Sequence, residues 1–373
     1  MTPRRSEVAI VGAGMAGASL AAEIGGRASV LLIEAEAHPG YHATGRSAAF
    51  WSESYGGPLV QPLTTASGAF LRDPPAGFHE SSFLRPRGAI SLVEGGQEAA
   101  LEAMQRDFAA SGVALERLGR AELERHIPGL RPGWRAGLGE PSCSDIDVAA
   151  LHGAYLKAAR RLGAELVVDA PVTALERLPS GWRLETRRGP IEADVVVNAA
   201  GAWADSIAVM AGLRPIGIQP YRRTIAQLRV DPPVPAELPL VIDALGRFYF
   251  KPETGRLWLS PHDETPCAAC DAAADDYDVA LAIDRLQRVV DWRIERIEHK
   301  WAGLRSFAPD RLPVYGYADG APGFFWCAGQ GGFGIQTAPA AAKLAAGLLL
   351  RKAPDPMVGH IDSSPYLALR FTN

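Results

Sequence analysis

The sequence predicts an α/β fold in two interleaved parts, a layered domain of parallel strands and helices and a strand-rich α+β domain. Three observations predict it. First, a continuous apolar run at 7–12 ends in glycine, leads into an Ala/Leu-rich stretch at 15–25, and is followed by a β-branched run at 29–33. Strand, helix and strand at this spacing form one right-handed βαβ unit around a buried parallel strand. Second, strands dominate residues 216–259 with no helical run among them. Third, the last third of the chain returns to strand and long helix, at 324–327 and 334–350. With 373 residues, the chain exceeds what one simple core usually takes, so two domains are expected.

Taken in order, helical spacing recurs at 58–72 and 97–110, on either side of a strand-like run at 89–93. A helix is expected over 147–162, with Asp145 and Asp147 as cap candidates. Short strands follow at 164–168, 172–177, 181–186 and 190–197, and the last of them turns through small residues toward another helix. A helix at 275–290 and a strand at 300–307 precede the closing α/β segment. The tail after Pro354 reads as poorly ordered. These elements assign 1–52, 145–215 and 308–373 to the layered domain, and 53–144 and 216–307 to the second.

Hydrophobic residues make up 47% of the chain and charged ones 21%, with a net charge of −4, as in a soluble globular protein. No basic block suits nucleic acid, and no apolar window reaches the ~20 residues of a membrane span. Residues Met1 to Arg5 run into the first strand without a signal-peptide core. Arg4-Arg5 is no export signal, because Gly12 and Gly14 interrupt the apolar run behind it. A cytoplasmic location is expected, with peripheral membrane contact left open. There are four cysteines, too few for a disulfide scaffold. Cys267 and Cys270 read as loop cysteines: zinc would need two more ligands, and His262 alone is near. No metal site is expected.

The chemistry begins at Gly12-Ala13-Gly14-Met15-Ala16-Gly17, with Glu34 closing the second strand. This is Gly-x-Gly-x-x-Gly between strand and helix, with an acid about 20 residues on. The glycines permit a tight turn, close approach to a pyrophosphate and close helix packing, and the helix N-terminus offers free N–H groups. Glu34 would accept from ribose hydroxyls. A dinucleotide is therefore expected. Gly45-Arg46-Ser47 follows the second strand, and a second glycine turn, Gly329 to Gly334, separates a strand from a helix near the other end of the chain. Turns from opposite ends of the chain suit a long cofactor, FAD, and the later helix N-terminus could stabilise negative charge on its ring.

Here the chain resembles the FAD-dependent amine and amino-acid oxidoreductases of the D-amino-acid oxidase and glycine/sarcosine oxidase group, and within it the bacterial D-arginine dehydrogenase type. The likeness rests on "VGAGMAGAS", "PGYHATGRSAA", "VVNAAGAW", "RPIGIQPYRR", "FYFKP", "WAGLRSF" and "GGFGIQT", spread from residue 8 to about 350. It implies two domains, non-covalent FAD, and oxidation of an amino acid to an imine that water hydrolyses to a keto acid. It also implies cofactor contacts from Ala35, Thr44, Ala48, Val172, Ala200, Gly201, Trp203, Gly331, Gly332, Phe333, Ile335, Gln336 and Thr337. A substrate α-carboxylate is best held by arginine, whose planar fork can meet both oxygens. Arg223 and Arg305 match the family's carboxylate-binding arginines, and Arg222 points to the other face of its strand. Tyr55 and Tyr249 match its active-site tyrosines. Gln336 and the Gly332 carbonyl match positions at the substrate amine and the flavin.

Two departures shape the expected substrate. Ala89 stands in Pro86-Arg87-Gly88-Ala89-Ile90 where the D-arginine type has an acid. An unpaired buried guanidinium is costly, so a cationic substrate is disfavoured. Phe50 replaces a histidine near the amine, so deprotonation falls to water or to His262, and entry of the neutral amine at higher pH is expected. With Ser52, Leu240, Ile242 and Ile335 added, the pocket suits a neutral, apolar D-amino acid. His42 reads as structural. Residues 301–310 lack a cysteine, so no covalent flavin tether is expected. The electron acceptor, oxygen or a quinone, is left open. Two other readings remain: an N-methyl or cyclic amino-acid substrate such as sarcosine or proline, and a non-catalytic FAD-binding subunit.

Overall fold

The computed structural model describes residues 3–371; Met1, Thr2, Thr372 and Asn373, and the parts of the leader and tail readings that fall on them, lie outside the described residues. The central strand Arg4–Val11 lies parallel to Val30–Ile33 on one side and to Ile191–Asn198 on the other. Glu165–Val167 and Phe324–Ala328 extend the parallel sheet outward. Alternate residues of these strands face two cores. Ile10, Leu32, Val197 and Phe325 pack with Leu20, Tyr155 and Leu344 of the helices Met15–Ile24, Val148–Arg161 and Ala338–Leu350. Ala9, Leu31, Val196 and Phe324 face Ile207 and Trp182 on the other side.

A second sheet of nine strands draws on 89–140 and 219–307, and shares no strand with the first. Within it Leu240–Asp243 runs parallel to Ala89–Glu94, and the other pairings are antiparallel. Its alternation is equally strict. Ile90, Val241 and Phe250 pack under the helix Asp276–Val289, whereas Ala89, Leu240 and Tyr249 look the other way with Phe50 and Ala48. A small sheet of Phe50–Trp51, Ser144–Ile146 and Leu84–Pro86 lies between the two large ones in sequence.

Several expectations are corrected. The tail is anchored: Val358, Tyr366 and Ala368 are buried, and the Tyr366 hydroxyl donates to the Leu59 carbonyl at 2.6 Å. Asp147 alone caps the helix Val148–Arg161, accepting from the Ala150 N–H at 2.9 Å. Asp145 instead takes Lys251 and Arg87, both at 2.7 Å. The last long helix starts at Ala338, because residues 331–337 form a turn and Pro339 sits in the first helical turn. The predicted strand at 300–307 begins at Arg293, where charged residues alternate and hide the apolar signal. The strand Trp134–Glu140 and the helix Arg120–His126 were not anticipated; both are short and glycine- or charge-rich. Among the described residues no helix is long and apolar enough to cross a membrane, and no group of three metal-ligating side chains occurs.

Candidate active site

The site begins at the first βα turn. Gly12 has φ +103°, and a Cβ there would lie 2.4 Å from the Ala199 carbonyl oxygen. A Cβ on Gly17 would lie 1.9 Å from the Gly12 carbonyl oxygen, so both positions exclude a side chain. The buried Glu34 carboxylate accepts from the backbone N–H groups of Ala13 and Glu36, each at 3.0 Å. Thr44 Oγ1 accepts from Met15 N–H at 3.0 Å and ties the second loop to the helix start.

From this turn a cavity of about 410 Å³ runs between the two large sheets. Of the expected cofactor residues, Gly12, Gly14, Met15, Ala16, Glu34, Ala35, Thr44, Arg46, Ser47, Ala48, Val172, Ala200, Gly201, Trp203, Gly331, Gly332, Gly334 and Ile335 line it. Seven others stand behind the wall. Ala13 donates to Glu34, Gly17 packs the helix, and Gly45 N–H bonds to the Gly40 carbonyl at 2.7 Å. Gly329 turns the chain at φ +71°, Phe333 stacks edge-on to Tyr55, and Thr337 Oγ1 donates to the Phe333 carbonyl. The seventh, Gln336, is buried, with its amide engaged on three sides. The Arg46 guanidinium turns away to Asp271 and to the carbonyls of Ala272 and Ala302, so it fastens the loop. His42 bonds Glu36 at 2.9 Å and packs on Trp203. Tyr41, Ala170, Pro171, Ser206 and Met210 also line the cavity, brought there by chain connections that no local motif marks.

At the far end the wall changes character. Arg223 is 3% exposed; its Nε donates to the Asp263 carbonyl at 2.7 Å and its Nη2 pairs with Glu264 at 3.1 Å. Its Nη1 is buried without a partner, and so is the Tyr249 hydroxyl. Arg305 Nη1 donates to the Tyr55 hydroxyl at 2.6 Å. Arg222 points outward to Asp278 at 2.6 Å. Beyond the arginines, Phe50 packs edge-on to Tyr55 and Tyr249, with centroids 5.0 and 6.3 Å away, in an apolar cluster with Ala89, Leu240, Ile242 and Ile225, of which Ile225 lines the cavity.

Charge is concentrated here. Burial raises the Tyr55 phenol, but Arg305 and Arg223 outweigh it and hold the phenol below its ordinary value. Burial and the neighbouring Arg305 lower Arg223. Arg305 ends above its ordinary value, because Tyr55 and Tyr249 overcome its burial. His262, 5.6 Å from Tyr249 between ring centroids, is pushed down to about 3 by burial first and then by the two arginines. Its Nδ1 lies 2.9 Å from the Gly246 carbonyl oxygen, a contact that opposes this shift without overcoming it.

Of the expected pocket residues, Gly332 and Ile335 line the cavity beside Arg223 and Arg305, whereas Phe50, Ser52, Ala89, Leu240, Ile242 and His262, like Tyr55, Tyr249 and Gln336, stand outside its wall. The Ser52 hydroxyl donates to Glu140 at 2.8 Å, and its backbone N–H donates to Gln336 Oε1 at 3.2 Å. Gln336 Nε2 donates to the Tyr55 carbonyl at 3.0 Å and to Thr64 Oγ1 at 3.1 Å, so Gln336 holds this loop rather than meeting an amine. Sequence reasoning missed Glu140 and Ile225, whose places depend on strand register.

Residues 7–348 match the model of the DAO family, described as "FAD dependent oxidoreductase". The chain belongs to this family. FAD is its cofactor, and the residues fit it: a glycine turn that no side chain could enter, a buried acid beside it, and a long cavity leading to the arginines. Within the DAO family the chain is 29% identical to the glycine oxidase of Geobacillus kaustophilus over 381 residues, covering 96% of this chain and 98% of that one. The crystal structure of glycine oxidase from that organism superposes with a TM-score of 0.83 at 25% identity, over 98% of each chain. The mitochondrial dimethylglycine dehydrogenase of Mus musculus is 29% identical over 252 residues, 62% of this chain. The chain spans only 29% of that relative's length. The fold is shared with L-proline dehydrogenase from P. horikoshii, with a TM-score of 0.83 at 21% identity over 96% of each chain.

Proposed function

We propose that the protein oxidises the amine-bearing carbon of a D-amino acid with a neutral or apolar side chain. The product imino acid is hydrolysed by water to the 2-oxo acid and ammonia. The carrying observation is that Arg223, which lines the cavity with Arg305, and the neighbouring Tyr249 beside an apolar cluster each keep a buried, unpartnered donor, the Arg223 Nη1 and the Tyr249 hydroxyl. An unpaired buried donor costs ~1–3 kcal/mol, and a carboxylate would satisfy both donors. The apolar cluster of Phe50, Ala89, Leu240 and Ile242 supports an uncharged side chain. We assign FAD binding to the parallel-sheet half of the chain and substrate binding to the nine-stranded half.

Bound FAD supplies the two-electron acceptor. Arg223 and Arg305 hold the carboxylate, Tyr249 and Tyr55 add hydrogen bonds, and Phe50 excludes water from the amine side. His262, depressed to about 3, is too weak a base to take an ammonium proton, so the substrate enters as the neutral amine. The same clamp would serve an N-methyl or cyclic amino acid, and the likeness to dimethylglycine dehydrogenase supports the N-methyl reading.

The test is anaerobic flavin absorbance with a panel of D- and L-amino acids, sarcosine and proline, repeated in air and with a soluble quinone. Bleaching by apolar D-amino acids is expected, and the aerobic and quinone arms identify the acceptor. Bleaching by sarcosine or proline alone moves the function to secondary amines. A flavin that no amino acid reduces leaves a non-catalytic FAD-binding subunit.

A further inference from the structure

Glu140 ends a strand of the second sheet and pairs directly with Ala89 on the neighbouring strand. Directly opposed residues share a sheet face, so Glu140 rises beside the floor of the side-chain pocket. Its carboxylate is buried and turns to the loop that carries Tyr55. It accepts from Glu53 N–H at 2.6 Å, from the Ser52 hydroxyl at 2.8 Å and from the Ser54 hydroxyl. Two residues on, the Tyr55 phenol meets Arg305 at 2.6 Å. From the other side Gln336 holds the same loop through Ser52 N–H and the Tyr55 carbonyl.

The geometry points to Glu140 as a positioning residue that holds Tyr55 against Arg305 and couples the side-chain pocket to the carboxylate clamp. Three donors from Ser52, Glu53 and Ser54 converge on one buried acid, so the acid and three consecutive residues of the loop fix each other. The Tyr55 ring packs on Phe50 and Phe333, and its hydroxyl accepts from Arg305, so a shift of the loop that carries it moves the phenol within this cage. The inference rests on the amino-acid reading above for its kinetic consequence, and on the Tyr55–Arg305 contact for its spectroscopic one.

The experiment uses FAD-loaded Glu140→Gln, with Ser52→Ala/Ser54→Ala as the milder pair and Tyr55→Phe as the reference. An amide keeps the size but supplies one acceptor oxygen in place of two. Alkaline ultraviolet titration reads tyrosinate formation, and the step absent in Tyr55→Phe belongs to Tyr55. In Glu140→Gln that step should move to higher pH, because the phenol loses its guanidinium. The KM for the best substrate should rise about 10-fold with a smaller change in kcat, and FAD content should hold. The serine pair should move both in the same direction by less. An unmoved Tyr55 step overturns the inference even if the wild-type enzyme oxidises no amino acid. An unmoved step and KM in the serine pair overturn it even if Glu140→Gln fails to fold. Wild type inactive with every amino acid, but with the Tyr55 step shifted in Glu140→Gln, removes the function proposed above and leaves the positioning role.

Discussion

At the cofactor end, the first βα turn and its neighbours bring backbone and small residues to the cavity, Gly12, Gly14, Ala16, Ala35, Ala200 and Gly201, among larger groups such as Glu34, Tyr41 and Trp203. At the substrate end the wall is large side chains: Arg223 and Arg305, and behind them Tyr55, Tyr249 and Phe50. The glycine turn at the first end works by leaving side chains out, so Gly12 and Gly17 tolerate almost no addition. The second works by placing long side chains from separate segments, so each can change and retune the ligand. That difference also separates what is general to a dinucleotide site from what selects a substrate.

The comparison can be broken most severely at Gly12. With φ +103° and the Ala199 carbonyl oxygen 2.4 Å from any Cβ, Gly12→Val should yield protein without FAD. The flavin spectrum of the purified protein checks this, and retained flavin would mean that the turn is not the cofactor's. Next is Arg305→Met, which should keep FAD but raise KM about 100-fold, the scale of a charge-assisted pair worth ~3 kcal/mol. An unchanged KM removes Arg305 from the clamp. Ala89→Glu should move preference about 10-fold toward cationic D-amino acids, because a guanidinium would then have a partner in the apolar cluster. If cationic substrates stay poor in kcat/KM, Ala89 does not face the substrate side chain.

The smallest effect concerns pH. His262 is lowered from 6.5 to about 3, chiefly by burial and then by Arg223 and Arg305. A depressed value means that the folded state binds fewer protons than the unfolded one. The stability from the neutral imidazole is therefore complete above 6.5 and is lost as pH falls toward 3. Denaturant melts of wild type and His262→Asn should differ by a constant amount above pH 6.5 and by a shrinking amount below it. A difference independent of pH would place His262 in a more solvated setting. The kcat/KM profile should also lack a limb near 6.5 that His262→Asn removes.

The amino-acid sequence by itself determined the βαβ start, the glycine turn with Glu34, the family and its cofactor. Those features are local: a tight turn needs glycine at fixed offsets, and a buried parallel strand needs an unbroken apolar run. Alternation along a strand is local too, and it set Arg222 and Arg223 on opposite faces, while the resemblance to the family pointed to Arg223. Only the tertiary structure decided which groups remain available to a ligand. Arg46, expected at the cofactor site, does line the cavity, but its guanidinium is held by Asp271, 225 residues away. Gln336 and Ser52 looked like pocket residues until their hydrogen bonds closed on Thr64 and Glu140. Glu140 carries no motif, and its role arises from its register opposite Ala89. Donors and acceptors are assigned by partners far apart in the chain, and a linear pattern does not record which partner reaches a side chain first.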